Sequence, residues 1–519
     1  MSSPDALAGR RLSSNPASSI VTMARPGESC HHAAVNEGQG RGARLVGLLV
    51  GAWLVVAACG SPTSPTAIPT ASSGSAAVAS GVDGTSGVLG TPRTPAPAIV
   101  STALPPDWPT YHGNGARTGV ASGFPAVHGA LVKAWAATLD GAVYGEPLGV
   151  GGRVIVATEG DSVYALDPAD GHVVWWRHLG TPVPLSSLPC GNIDPLGITS
   201  TPAYDTSTGS LFVVAEIAGP RHVLFALSAA TGAVRWSRSV DLAGDDPRTH
   251  QQRAALAVGN GTVYIGFGGL AGDCGAYRGE VVGVPVTGRG STIAYRVPVA
   301  REGAVWATGG PVLDASGNLY VSIGNGSSTS TYDGSDAVVE LSATLRLRSR
   351  FAPSQWAQDN ANDADLGSLS PVLVPGGRVF IAGKSGIGYV LRQGALGGIG
   401  GQVSSQGVCA AFGGSAQVGS TIYVPCADGL RMVQVGSDGS IRPGWQVQAG
   451  ATGPPVIAGG VIWSVAIGNG ELQALAPSTG ALVAHIGIGP VPHFASPTPW
   501  DGLVLVGTMQ GVTAVRAGT

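Results

Sequence analysis

The stretch GDSVYALDPADGHVVWWRHLG, residues 160–180, alternates apolar and polar residues, breaks at Asp167-Pro168-Ala169-Asp170-Gly171, and alternates again into Trp175 and Trp176. Two alternating runs around a turn of this composition read as a β-hairpin. The pattern recurs. Further copies begin at His222 (HVLFALSAATGAVRWSRSV), Gly279 (GEVVGVPVTGRGSTIAYRV), Ser335 (SDAVVELSATLRLRSRF), Ser385 (SGIGYVLRQGALGG), Asp428 (DGLRMVQVGSDGSIRPGWQV), Gly470 (GELQALAPSTGALVAHIG) and Gly511 (GVTAVRAGT). An apolar run with a glycine-rich start precedes each copy, from GGRVIVAT in the first to DGLVLVGT in the last. A third short run, YGEPLGV in the first unit and FASPTPWD in the last, precedes that.

Each unit therefore holds four short strands, at a spacing that falls from about 60 to about 41 residues. Four-stranded units at such periods are propeller blades. The last unit stops after VTAVRA and lacks a fourth strand, whereas a strand-like segment at 131–139, LVKAWAATL, precedes the first complete unit. It can supply the missing strand and remove two open sheet edges. The expected fold is all-β, an eight-bladed β-propeller spanning 107–519 behind a disordered leader and linker.

Composition supports that reading and excludes others. Of 519 residues 82 are glycine, which suits many tight turns. Charged residues make up 11% and the net charge is −3, with no basic stripe, so nucleic acid is excluded as a partner. No phosphate-cradling GxxxxGK[ST] loop and no HExxH metal motif occurs.

The front end has another character. Arg41 and Arg44 precede an apolar run from Leu45 that ends in Val56-Ala57-Ala58-Cys59. The run is short for a membrane span and has the layout of a signal peptide. The small residues before Cys59 resemble the lipobox of bacterial lipoproteins, which implies cleavage before Cys59 and a lipid on its sulfur. A plain secretory signal or an uncleaved anchor is the alternative, and all three readings export the domain. Residues 1–58 are read as leader and signal peptide, with Met23 an alternative start. Residues 59–106, rich in Ser, Pro, Thr, Ala and Gly, are read as a disordered tether that buries no core. The expected location is the cell envelope, lipid-anchored, with the propeller outside the cytoplasm.

Cysteine usage agrees with export. Besides Cys30 and Cys59, four remain: Cys190, Cys274, Cys409 and Cys426. Four cysteines allow three pairings. Blade register favours Cys190–Cys274 on neighbouring blades and Cys409–Cys426 on adjacent strands of one blade, with free thiols as the alternative.

Register also sorts polar residues. The loop entering the innermost strand of a blade opens on the same face as the loop between its second and third strands. The first kind holds Thr199, Gln252, Arg253, Trp306, Asp363, Asp365 and His493, and the second holds Glu216, Asn325 and Lys384. In a chain this poor in charge, their gathering at one channel mouth points to a ligand site.

The units ALDPADGHVVWW and ALSAATGAVRWS resemble the tryptophan-bearing repeat of quinoprotein dehydrogenases, which bind pyrroloquinoline quinone (PQQ). The resemblance covers the whole propeller. AEIAGPRHVLFAL resembles the family segment whose glutamate binds calcium beside the quinone, which implies Glu216 as a metal ligand. LYVSIGNGS resembles the segment with a second calcium ligand, here Asn325. NDADLGSLSPVLV resembles the segment carrying the catalytic aspartate, which implies Asp365 or Asp363. AGKSGIGYVL resembles the segment whose basic residue contacts the quinone, here Lys384. The implied chemistry is alcohol or polyol oxidation with PQQ and calcium, Arg253, Lys384, Trp306 and Thr199 contacting the cofactor. The chain departs from the family in having no adjacent cysteine pair, no identifiable final-blade tryptophan under the cofactor and no CxxCH haem motif. Electrons would then leave to a separate acceptor. The alternative is a non-catalytic envelope scaffold or binding propeller, similar to the lipoprotein of the outer-membrane β-barrel assembly machine, with an envelope protein in place of a small-molecule substrate as partner. An envelope sensor or adhesion domain is a third reading.

Overall fold

The computed structural model describes residues 106–518 apart from 449 and 451. The leader, Cys59 and the tether up to residue 105 lie outside the described residues. Eight sheets stand in sequence order around a ring. Blades 1 to 7 occupy residues 148–178, 203–239, 257–296, 312–352, 372–407, 416–447 and 456–487, and blade 8 starts at 498. Blade 8 closes as expected. Strand Leu131–Thr138 pairs antiparallel with Gly511–Ala517, from Leu131 opposite Ala517 to Thr138 opposite Gly511. Among the described residues, no helix is long and apolar enough to cross a membrane.

Burial follows position in the blade. The middle strands are covered on both faces, as in Ser162–Leu166 and Ser210–Ile217, every residue of which is buried. The outermost strands alternate or stand exposed, as in Val173–His178. The repeat's tryptophan explains the seams. Trp135 of blade 8 lies on the turn glycine Gly171 of blade 1, Trp175 on Gly232 of blade 2, Trp236 on Gly288 of blade 3, and Trp445 on Gly480 of blade 7. In three of the four seams the indole N–H donates to a carbonyl of the same turn: Trp135 to Pro168, Trp175 to Ala229 and Trp445 to Pro477. The turn needs glycine twice over. Gly232 has φ +67°, and a Cβ there would come within 2.5 Å of the Trp175 ring. Gly232→Ala should cost about 2–3 kcal/mol, from left-handed backbone and lost ring contact. The check is a lower midpoint in chemical denaturation with an unchanged slope.

Two features depart from the expected pattern. The copy at 385–398 was expected to contain the last strand of blade 5, but that strand is Ser404–Gly407. Gly398–Ile399 instead pairs in parallel with the outer strand of blade 4, Leu347–Ala352. Glycines at 394, 397, 398, 400 and 401 leave nothing there to pack a ladder. The second departure is at the N-terminal side. Residues 108–119 cross the central channel. Trp108 Nε1 and the His112 backbone N–H both donate to Glu146 before blade 1 at 2.6 and 3.1 Å. The His112 ring lies 3.2 Å from Ser415 O before blade 6 and 3.2 Å from Ser496 Oγ before blade 8. Arg117 Nη2 donates to Leu256 O before blade 3 at 2.8 Å. Burial drives the His112 pKa down to about 3, so this plug carries a neutral imidazole.

Candidate functional site

The plug makes the channel a well that opens on one face. A cavity of about 240 Å³ at its mouth is lined by Arg253, Trp306, Asn325, Asp363, Asp365 and Lys384, together with the loop Gly269–Asp273, Gln251, Tyr277 and Ala304. These six residues come from blades 3, 4 and 5 and were all expected on one face. Local backbone explains their reach. Asp365 precedes a single 3-10 turn, Leu366–Ser368, ahead of the innermost strand of blade 5, and Lys384 follows that blade's second strand, Arg378–Ala382. The Lys384 backbone N–H donates to Asp365 O at 2.9 Å, so the two loops are stitched together.

Lys384 Nζ lies 2.6 Å from Asp363 and 2.8 Å from Asp365, and 5.4 Å from the centre of the Trp306 ring. Trp306 Nε1 donates to Asp365 Oδ1 at 3.3 Å. The two aspartates differ in exposure: the Asp363 side chain is 65% exposed and that of Asp365 is 1% exposed. Burial pushes the Asp365 carboxyl up while Lys384 pulls it down. Burial works against charge on Lys384, but the two aspartates prevail and raise its pKa.

Among the described residues Arg253 has no carboxylate within ion-pair distance, and its guanidinium stands 5.0 Å from the Phe494 ring centre. Phe494 also meets Trp306 and Phe412, each at 6.2 Å between ring centres. The Asn325 side-chain amide makes no hydrogen bond among the described residues, whereas the Asn325 backbone carbonyl accepts from Gly303 N at 2.7 Å. Thr199 is deeper, around a small second space with Tyr111, Tyr144, Glu146, Thr201, Arg253, Thr308, His493 and Phe494. Gln252 serves the core: it accepts from Ser200 Oγ at 2.5 Å and donates to Ala254 O at 2.6 Å.

Glu216 is not on the wall of the 240 Å³ cavity. Its Oε2 lies 3.2 Å from His222 Nε2, and His222 Nδ1 lies 2.7 Å from Asp241. Burial opposes charge on His222, but Glu216 and Asp241 overcome it and push the pKa up to about 10. Glu216 Oε1 has no hydrogen-bond partner among the described residues. Nearby in blade 1, Glu159 and Asp161 are also buried, and burial lifts their carboxyls to about 7 and about 9. The cysteines pair as favoured, Cys190–Cys274 and Cys409–Cys426.

Sequence reasoning missed Phe494, Tyr277 and the plug. The available signals were an aromatic in the loop VPHFASP and the cluster Trp108, Tyr111, His112, Arg117 directly behind a Ser/Pro-rich stretch.

Residues 112–381 match the model of a PQQ-repeat family described as outer membrane protein assembly factor BamB. The chain is similar to the solved quinohemoprotein alcohol dehydrogenase ADHIIG from Pseudomonas putida HK5, at 16% identity over 80% of this chain and 81% of that one, with a TM-score of 0.62. It is similar to a europium-containing methanol dehydrogenase at 15% identity, covering 79% and 98%, with a TM-score of 0.60. It is also similar to BamB from Moraxella catarrhalis at 14% identity, covering 74% and 99%, with a TM-score of 0.51. No curated protein matches the chain. At these identities the structures share the fold with this chain.

Proposed function

The chain belongs to the PQQ-repeat propeller family described as outer membrane protein assembly factor BamB, and from that premise we propose that it is an exported, Cys59-anchored propeller whose well binds a small planar acid of the PQQ type and oxidises an alcohol or polyol. One observation carries this reading: Arg253, a half-buried cation with no ion pair among the described residues, faces the same cavity as Trp306 and the Lys384–Asp365 pair. An unpaired guanidinium at a site edge is a carboxylate receptor. Trp306 offers a flat apolar face for a fused ring. The cavity, about 240 Å³, falls just below the usual range of small-molecule sites, about 300–1,000 Å³.

For the quinone the residues fit. Arg253 and Lys384 would hold its carboxylates and Trp306 its plane, and when bound it supplies the hydride acceptor. Asp365 is the better base of the two aspartates, because it is shielded from water and oriented by Trp306 and Lys384. As a carboxylate it takes the alcohol proton while hydride leaves the carbinol carbon. Asp363, at the exposed rim, holds Lys384 in place. For calcium the residues do not fit. The ion wants six or more oxygens, whereas Asn325 faces the cavity and Glu216 is bound to protonated His222. No step is derived through the metal.

The test is equilibrium binding of PQQ, with and without calcium, followed by quinone absorbance and dye-linked alcohol oxidation. Arg253→Ala should weaken PQQ about ten- to hundredfold, the worth of a charge-assisted hydrogen bond. Arg516→Ala, on the exposed outside of blade 8, should leave it unchanged. No bound quinone and no oxidation would leave a second reading, a non-catalytic envelope scaffold. The outer strand of blade 1 favours that one: Val173, Val174 and Trp176 stand 44%, 40% and 57% exposed along an open edge.

A further inference from the structure

Behind the well two carboxylates meet that the proposed chemistry does not use. Asp336, in the loop before the third strand of blade 4, is 0% exposed, and Asp359, on the helix Trp356–Ala361, is 6% exposed. Asp336 Oδ1 accepts the backbone N–H of Leu366, the residue after Asp365, at 2.6 Å. Asp336 Oδ2 and Asp359 Oδ2 have no donor, and neither carboxylate has an ion-pair partner among the described residues. Among the described residues, no positive charge pairs with either carboxyl. Blade 4 contributes the Tyr332 phenol, blade 5 the Tyr389 phenol, and the well side Asp365. Lys384 is taken by Asp363 and Asp365, and Arg350 lies over the Tyr332 ring at 5.2 Å.

Two buried carboxyls in contact cannot both ionise without a cation between them. We infer that Asp336 and Asp359 share one proton, and that this acid–carboxylate bond latches the segment bearing Asp363 and Asp365 onto blade 4, positioning Asp365 at the well. The same helix is fastened by Asn360, whose Oδ1 accepts Gly326 N at 2.9 Å and whose Nδ2 donates to Ser328 O at 2.8 Å. The latch thus joins both walls of the well, Asn325 on one side and Asp365 on the other. Burial pushes both members of the pair up; the Leu366 N–H pulls Asp336 back while the Asp359 and Asp365 carboxyls add to its rise, and the hydrogen bond with Asp336 pulls Asp359 back while Asp365 adds to its rise. Such a group holds its proton more tightly folded than unfolded. Its stabilisation is present in acid and is lost as pH rises from the ordinary aspartate range through the folded value.

The consequence for Asp365 rests on the proposed use of the well, but the latch itself is testable without a ligand. Hydrogen exchange by mass spectrometry on the full chain, corrected for intrinsic rates, is read at about pH 6 and about pH 9. Peptides covering 356–368 should lose protection about tenfold or more with alkali, a unit of pKa being a factor of ten. Those of blades 1 and 2 should not change. In Asp359→Asn an amide donates permanently to Asp336, so protection should stay at the acid level throughout, and Asp336→Asn serves should the first variant fold poorly. Wild-type protection independent of pH, or variants that follow the wild type into alkali, would overturn the latch. PQQ binding alongside flat exchange would keep the quinone reading and remove this one, and the reverse result would do the opposite.

Discussion

Replacing Lys384 with methionine should destabilise the protein by about 3–4 kcal/mol at neutral pH and by little in acid. The variant leaves Asp365, 1% exposed, as a buried carboxylate whose remaining polar neighbour is the Trp306 N–H. Removing one partner of a buried pair exposes the full desolvation cost of the other. The lower end of the usual range applies because Lys384 itself keeps 23% exposure and water can reach the gap. The pH dependence follows from the carboxyl. Burial already pushes Asp365 up, Lys384 is the main influence drawing it back, and without it the folded pKa rises further. A carboxyl with a raised folded pKa loses stability as pH climbs from the unfolded value towards the folded one. The gap between wild type and variant should therefore open between about pH 4 and neutrality and close on acidification. Melting temperatures across that range read it directly. A gap that is constant with pH would mean that lost packing, and not the stranded charge, sets the cost.

The sequence made most of the ring readable because its information is short-range. A strand, a turn and a returning strand fit within twenty residues, and repetition at regular spacing does the rest. The gathering of Arg253, Trp306, Asn325, Asp363, Asp365 and Lys384 at one mouth follows from counting loops in each blade, as do both disulfides. Where the reading stopped, the cause was physical. Every residue of the strand Ser210–Ile217 is buried, so alternation cannot say which way Glu216 points, and its partner His222 comes from the next strand. The plug was illegible because its bonds span 34 residues to Glu146 and 384 to Ser496, with no periodicity between. The last strand of blade 5 was displaced to Ser404–Gly407 by glycines that carry no pattern. Pairing of Asp336 with Asp359 was invisible for the same reason as Glu216: a buried carboxylate in sequence looks like any other.

A chain that starts at Asp140 should fail to give a soluble monomer, and attaching residues 130–139 behind Gly518 through a tight Asn-Gly turn should restore one. The truncation removes the strand Leu131–Thr138 and with it the buried side chains of Leu131 and Trp135, 7% exposed each. Loss of one buried tryptophan costs about 3–5 kcal/mol and of a leucine about 2–5. Their sum reaches the whole stability of an ordinary domain. It also leaves Gly511–Ala517 as an apolar unpaired edge, the template for intermolecular pairing. Reattachment works because of register: Leu131 lies opposite Ala517, and Gly518 N already donates to Ala130 O, so the end of the chain and the start of the strand sit at one hairpin corner. The restored chain still lacks the plug, and with it the buried contacts of Trp108, Tyr111 and His112 in the channel. It should therefore be monomeric by size-exclusion chromatography yet melt below the parent. Monomers from the bare truncation would show that the ring closes on blade-to-blade packing alone, and aggregation of the reattached chain would show that the plug, and not the eighth outer strand, completes the fold.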